Sequence, residues 1–534
     1  MIINEIIILF ILFQKSQISS FKCGNSKKKK TIIQTIDSEP FPKNFKRELS
    51  STPINIYIDY EIIENQISNQ TLLKIQEAFN LTIKTFQNIL SVKTKGIYTF
   101  NKNSIDKVGA DFDSDDVPFL INNSKKIGAD LYLVPFLDET LDDDVQAAAY
   151  PMISEKKTMR PVLGCVDLNP SYDYNEKNSI EFLSMLLLHE ISHVMAFNNQ
   201  LFQYFQNIKQ PTKNMIINGL NRTLLATPKV LEYARGHFGC PSLPGVELEN
   251  QGGEGSAGSH WEARIMLGDY MISTDYPELV ISDITLAVFE DSGWYNVNYY
   301  TGGLFKTGKG EGCNFLQNTC INKSSELTNF PLDFCDEPEE AFCTPGLLDR
   351  GECTIYLYNI NLEKNYQYFG NGKIGGFEPA DFCPVSLNEP DNNYKLFSRC
   401  DENGMKNLPS DLGEKFGKKS FCFLSSLINE NANKKIKKNL GDKKAMCYEV
   451  QECNDDFYYY LVDIGDNIFN CTNAFENQKY VVEGYEGFIN CPPYWRVCGG
   501  SVLCNNPFEC SNLKSTTRIV DMKNFVKNKE EFKK

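Results

Sequence analysis

His189-Glu190-Ile191-Ser192-His193 is the segment whose residue types and spacing can do chemistry, in a chain that holds only four histidines. On an α-helix, positions i and i+4 stack on one face, so both imidazoles can grip one metal ion. Glu190 projects beside them, where a carboxylate can take a proton from metal-bound water. The pentapeptide has the form of a zinc-hydrolase signature. The run before it, Phe182-Leu183-Ser184-Met185-Leu186-Leu187-Leu188, is apolar and long-chained, as a buried helix requires.

Catalytic zinc takes three protein ligands and leaves one position for water. His237 and His260 are the remaining candidates, and spacing alone does not choose between them. His260 ends the glycine-rich stretch Gly252-Gly253-Glu254-Gly255-Ser256-Ala257-Gly258-Ser259, a loop able to swing a ligand against the helix. His237 sits in Ala234-Arg235-Gly236-His237-Phe238-Gly239-Cys240, which reads equally as an ordinary turn. Serine or cysteine catalysis needs a histidine base, and a metal site takes three of the four. A deaminase-type zinc site would need His-x-Glu with Pro-Cys-x-x-Cys, and neither is present.

The elements that must position these residues can be read from periodicity. Alternation in Ile54-Asn55-Ile56-Tyr57-Ile58-Asp59-Tyr60 marks a strand. From Thr71 to Leu90 the apolar residues fall at helical spacing. Gly128 to Pro135 reads as a second strand stopped by its proline, and Arg160 to Leu168 as a third. The histidine helix follows, which suggests an α+β domain with that helix against a twisted sheet. Asp111-Phe112-Asp113-Ser114-Asp115 mimics the start of a calcium loop. Asp116 and Asn122 stand where such a loop needs Gly and Glu, so the segment reads as a solvated acidic loop.

With 534 residues, 42% hydrophobic and 12% aromatic, the chain has material for two or three cores. A net charge of −15 argues against nucleic acid as a partner. The basic clusters Lys27 to Lys30 and Lys434 to Lys438 read as solvated segments. Eighteen cysteines contain no Cys-x-x-Cys pair, and fifteen fall between Cys313 and Cys510, which points to disulfides, an oxidising compartment and a stapled C-terminal half. The apolar block Ile6 to Phe13 is too short to span a bilayer and reads as a secretory signal over residues 1–20, although Glu5 precedes it and no Lys or Arg does. No later apolar run is long enough for a transmembrane segment. The polar, Lys-rich end Ser511 to Lys534 is not a GPI signal, so the expected protein is secreted and extracellular. Sequons at Asn69, Asn80, Asn122, Asn221, Asn322 and Asn470 agree with export.

The chain resembles leishmanolysin-like metalloproteases, a branch of the metzincins. The resemblance is carried by His189 to His193, the Cys240 region, Ser259-His260-Trp261-Glu262, Met271 and Phe289-Glu290-Asp291-Ser292-Gly293-Trp294-Tyr295, and it covers roughly residues 50 to 510. It implies a metzincin-like catalytic domain, a twisted mixed sheet plus active-site helix, followed by a disulfide-rich C-terminal domain. The 67 residues from His193 to His260 look like the family's long insertion. His260 then becomes the third ligand, one Zn2+ is bound per chain, Met271 is the methionine of the turn beneath it, and His237 is structural. The implied activity is endoproteolysis of protein or peptide substrates, with Glu190 as general base. By the same likeness Cys240 pairs with Cys313. Cys23-Gly24-Asn25 looks like the remnant of a propeptide cysteine switch, with a disulfide partner or vestigial cysteine as the other reading. One departure is Ala196, where the family has Gly; Asn198 or Asn199 in the left-handed conformation would then stop the helix slightly later.

The organisation read from the sequence is therefore a signal at 1–20, a short propeptide or disordered segment at 21–48, and two catalytic subdomains at 49–200 and 201–300. A cysteine-rich domain at 301–510 and a polar tail at 511–534 follow. The rival from another class is a secreted adhesion or matrix-binding protein on a vestigial protease scaffold. Loss of Glu190 or of a ligand would support it, and none is lost.

Overall fold

The structure, a computed structural model, describes residues 33–39 and 52–498, apart from 109–112, 143–144, 173, 175–179, 254–255, 277, 300–304, 339–340, 388–398, 402–409, 433–444, 455–456, 466 and 473–476. The signal segment, Cys23, both lysine clusters and the polar tail lie outside the described residues.

Strands β1 (Gln34–Ile36), β2 (Ile56–Ile58), β4 (Leu131–Leu137), β5 (Ala147–Glu155) and β6 (Pro161–Leu168) form a mixed sheet in the order β1-β5-β6-β4-β2, while β3 (Leu90–Val92) pairs elsewhere. β5 runs antiparallel to β6; the other neighbours are parallel. β1 falls in the segment read as propeptide or disordered, and Ser38 beside it donates to Glu155 at 2.8 Å. Proline does not end β4 as the sequence suggested. The Leu133 carbonyl accepts from Asp59 on the β2 side, and Pro135, two residues on, faces the same way after β2 has ended. Its missing N–H therefore costs no ladder bond.

The helix Asn69–Ile89 begins at Ser68, whose hydroxyl accepts from the Thr71 amide. It packs on the histidine helix Ile180–Met195. Thr82 donates to the Ser184 carbonyl at 3.0 Å, and Ser184 donates to the Ala78 carbonyl at 3.2 Å. The histidine helix lies on β5 and β6, where Gly164 admits it: a Cβ there would sit 2.3 Å from Val194 Cγ1. Among the described residues, Ile180–Phe202 is the one helical stretch apolar and long enough to cross a membrane, and most of it is buried, as in a core helix.

Beyond it, β7 (Thr212–Ile217) and β8 (Leu220–Leu225) form a hairpin turned by Asn218-Gly219, both at positive φ, and β9 (Val246–Glu247) pairs with β8. The main core continues past residue 300 to include Phe315, Phe330, Phe334, Tyr368, Phe377 and Val385. A second core fills the four-stranded sheet of Ser420–Leu424, Ala445–Asn454, Tyr459–Ile464 and Asn467–Cys471. The described architecture is thus α+β with a disulfide-rich C-terminal half.

Cys240–Cys313 joins the two halves, as the resemblance implied. Cys320–Cys383, Cys335–Cys353, Cys343–Cys422, Cys400–Cys447, Cys453–Cys498 and Cys471–Cys491 staple the second. These bridges fit an oxidising compartment. Among the described residues Cys165, buried in β6, is a free thiol; Cys504 and Cys510 lie outside them.

Candidate metal centre

His189 and His193 stand one helical turn apart, with their Nε2 atoms 3.0 Å from each other. His260 Nε2 comes from the glycine-rich loop to 3.1 Å and 3.2 Å from the two. All three side chains are buried, at 2%, 1% and 0% exposure. Each ring turns its other nitrogen to a backbone carbonyl: His189 Nδ1 to Tyr270 at 2.6 Å, His193 Nδ1 to Phe197 at 2.7 Å, and His260 Nδ1 to Ser256 at 2.9 Å. A carbonyl only accepts, so each Nδ1 carries the hydrogen and each Nε2 presents its lone pair to the other two. Burial, reinforced by the neighbouring imidazoles, holds His189 well below its ordinary pKa. Burial also takes His193 down to about 4, and burial with the nearby His193 takes His260 down to about 3.

Three lone pairs meeting out of water, with no proton to share, repel one another unless a cation lies between them. The donor set therefore fits a metal ion. Neutral imidazole suits zinc, copper, iron or nickel.

The local backbone explains how each ring is aimed. At the end of the histidine helix the Ala196 and Phe197 amides both donate to the Ser192 carbonyl, at 3.0 Å and 2.8 Å. Asn198 is extended, at φ −148, and its side chain caps the next short helix by accepting from Gln200. Neither Asn198 nor Asn199 adopts the left-handed conformation anticipated from Ala196. The doubled bond to Ser192 closes the helix without it, and leaves the Phe197 carbonyl facing His193.

The His260 loop is shut by backbone bonds from Glu249 to the His260 carbonyl (2.9 Å) and from Gly258 to the Glu249 carbonyl (2.8 Å). Gly258 is at φ +81, which suits a residue without Cβ. Trp261 donates to the Met271 carbonyl at 2.9 Å, so the segment around Met271 lies against the third histidine's loop. Asp269 ties that segment down by accepting from the Met271 amide (2.8 Å) and the Thr285 hydroxyl (2.8 Å). Tyr270 serves twice, its carbonyl on His189 and its hydroxyl 2.9 Å from Ser192 on the same helix. Glu190 is fully buried beside His189.

His237 lies elsewhere. Its ring stacks on Phe305 at 4.7 Å and its Nε2 donates to the Thr307 carbonyl at 2.8 Å. Sequence reasoning missed the carbonyls of Tyr270, Phe197 and Ser256 that aim the rings. A backbone carbonyl carries no side-chain signature, so no signal for them exists in the residue string.

Residues 126–504 match the leishmanolysin peptidase family. The chain belongs to the leishmanolysin family. It is 30% identical over 420 residues to a leishmanolysin-like peptidase of Caenorhabditis briggsae, an alignment covering 64% of this chain and 62% of that protein. Against a leishmanolysin homolog of Crithidia fasciculata it is 29% identical over 352 residues, 64% of this chain and 51% of that one. Leishmanolysin of Leishmania major is 27% identical over 329 residues, 60% of this chain and 52% of that protein. The chain thus spans between half and about six-tenths of the length of these relatives. His189, Glu190, His193, His260, Cys240 and Cys313 all lie within the matched span.

Proposed function

We propose that the protein is a secreted zinc-dependent endopeptidase that hydrolyses peptide bonds of proteins. The observation that carries this reading is the meeting of three neutral imidazole Nε2 atoms within 3.0–3.2 Å of one another, with a buried glutamate next in sequence to the first. His189, His193 and His260 would hold one zinc ion, their Nδ1 bonds to carbonyls fixing tautomer and ring orientation. When bound, zinc supplies Lewis acidity, which acidifies water toward a pKa of about 7 and polarises a carbonyl. Glu190 accepts the proton released as water attacks the scissile carbonyl and returns it to the departing amine. Met271 forms the floor of the turn beneath the site, in a metzincin-like catalytic domain whose sheet starts at β1 and whose core continues past residue 300. The cysteine-rich half, 301–510, contributes structure. Cys23 would hold the precursor inactive by offering its thiolate to the metal. The seven disulfides among the described residues support export.

The test is cleavage of casein or gelatin by the purified chain, abolished by a chelator and restored by zinc. Glu190→Gln keeps its zinc by elemental analysis and loses about 10²–10⁴-fold in turnover. Equal activity in that variant removes Glu190 as the base, and chelator-resistant cleavage removes the metal.

A further inference from the structure

We propose that Asp381, a residue of the cysteine-rich half, is a positioning residue for His260, acting through Arg222 and Glu262. The inference rests on the three-histidine cluster being a metal site, and it concerns how the third ligand is held there.

Glu262 follows His260 by two residues and anchors that end of the loop. Its Oε1 accepts from the Arg264 amide at 3.2 Å. Its Oε2 accepts from Arg222 Nη1 at 3.2 Å and from Asn250 Nδ2 at 3.0 Å. Both of those donors are oriented from the far half of the chain. Arg222 Nη2 is ion-paired with Asp381 Oδ2, and Arg222 Nη1 lies 3.3 Å from Asp381 Oδ1. Asn250 Oδ1 accepts from the Tyr366 hydroxyl at 3.2 Å. Gln251, next to Asn250, donates to Asp381 Oδ1 at 3.1 Å.

Arg264 adds a second guanidinium. It lies 3.7 Å from Asp381 Oδ2 and donates to Glu247 Oε1 at 2.9 Å. Arg222, Arg264, Glu247, Glu262 and Asp381 are each 3% exposed or less. Charges buried this deeply persist only when paired, and both guanidinium groups share two carboxylates, Glu247 from their own half and Asp381 from the cysteine-rich half. Without its charge, Arg222 is left to Glu262 and Glu247, which pulls the carboxylate anchoring the ligand loop.

The backbone at Asp381 is built to hold it. Asp381 and Phe382 are successive non-glycine residues at φ +56 and +60, a conformation that persists only where the surroundings enforce it. Those surroundings are present. Cys383 is bridged to Cys320, and Gly376 packs so closely that a Cβ there would be 2.2 Å from Pro384 N. A merely space-filling acid needs neither the strained turn nor the staple.

The experiment uses the full, oxidised chain and zinc alone as probe. Zinc affinity is measured by competition with a chromophoric chelator, and backbone hydrogen exchange over residues 248–262 is followed in the metal-free protein. Thermal midpoints are recorded alongside. Asp381→Asn is expected to weaken zinc binding by about ten- to hundredfold and to speed exchange in 248–262. Tyr366→Phe moves both readouts the same way by less. Glu414→Gln, which breaks a buried pair with Arg350 outside this network, leaves both unchanged. Should Asp381→Asn fail to fold, Arg222→Met combined with Asp381→Asn removes both charges together, and Tyr366→Phe carries the same prediction.

The inference is overturned if Asp381→Asn and Tyr366→Phe bind zinc like the parent, or if affinity falls only in step with the thermal midpoint. A parent chain that binds no zinc, while Asp381→Asn still loosens 248–262, would sink the metal reading and leave the positioning of the loop standing.

Discussion

Removing an imidazole from the cluster and removing the fourth histidine should have opposite signatures, because only one of them faces other lone pairs. His260→Ala takes away one of three converging nitrogens, so bound zinc should fall steeply by elemental analysis. His237→Ala should keep its zinc and lose about 1–3 kcal/mol of stability, since it deletes a ring stacked on Phe305 and a bond to Thr307. If the second variant lost metal and the first did not, the ligand set would be wrong. The helical pair and Glu190 were legible in the sequence because positions i and i+4 share a face whatever surrounds them. The choice between His237 and His260 was not. What separates them is which ring nitrogen the folded backbone occupies: Ser256 takes Nδ1 of His260 and leaves its Nε2 turned to His189 and His193, whereas Thr307 takes Nε2 of His237.

Between the histidine helix and its sheet, Val194 packs directly over Gly164, leaving no room for a Cβ. Gly164→Val would force the helix away from β6, where the Tyr150 carbonyl also crowds the site at 3.2 Å. We expect a loss of about 1–3 kcal/mol in urea unfolding, with zinc retention falling as the helix shifts. An unchanged midpoint would mean that the helix does not depend on this contact. Periodicity found the helix Asn69–Ile89 and strands β2, β4 and β6 because their apolar patterns are long or cleanly alternating. It missed β5, whose residues are buried on both faces, so that Ala147-Ala148-Ala149 shows no alternation to read. Edge strand β1 is three residues long, too short for any period to register.

For the molecule as a whole, acid sensitivity is one readable consequence of burial. Burial, with the charge of Lys309 adding to it, takes His237 from an ordinary value of 6.5 to about 3. The unfolded chain therefore binds a proton there that the folded one refuses. The stability this residue contributes is present above pH 6.5 and is lost as the pH falls toward 3, at up to about 1.4 kcal/mol per pH unit. His237→Phe should flatten the acid limb of stability against pH over that window; parallel limbs for the two proteins would refute the assignment. The disulfide-dense character of the second half was legible from cysteine counts, but the pairing was not, since many connectivities satisfy one spacing pattern. Cys240–Cys313 was reached only through family likeness. That the main core would continue across residue 300 had no compositional sign.

Cys165 offers a clock for the fold. Its sulfur lies in mid-strand, 3.4 Å from the Val134 carbonyl, and burial together with nearby Asp167 keeps the thiol from ionising near neutrality. An alkylating reagent needs the thiolate, so it reaches this atom only when β6 parts from its neighbours. Mass-spectrometric labelling of the peptide containing Cys165 should therefore proceed at the rate at which the sheet beneath the histidine helix opens. Rapid labelling in native buffer would mean that the platform breathes far more often than its packing implies.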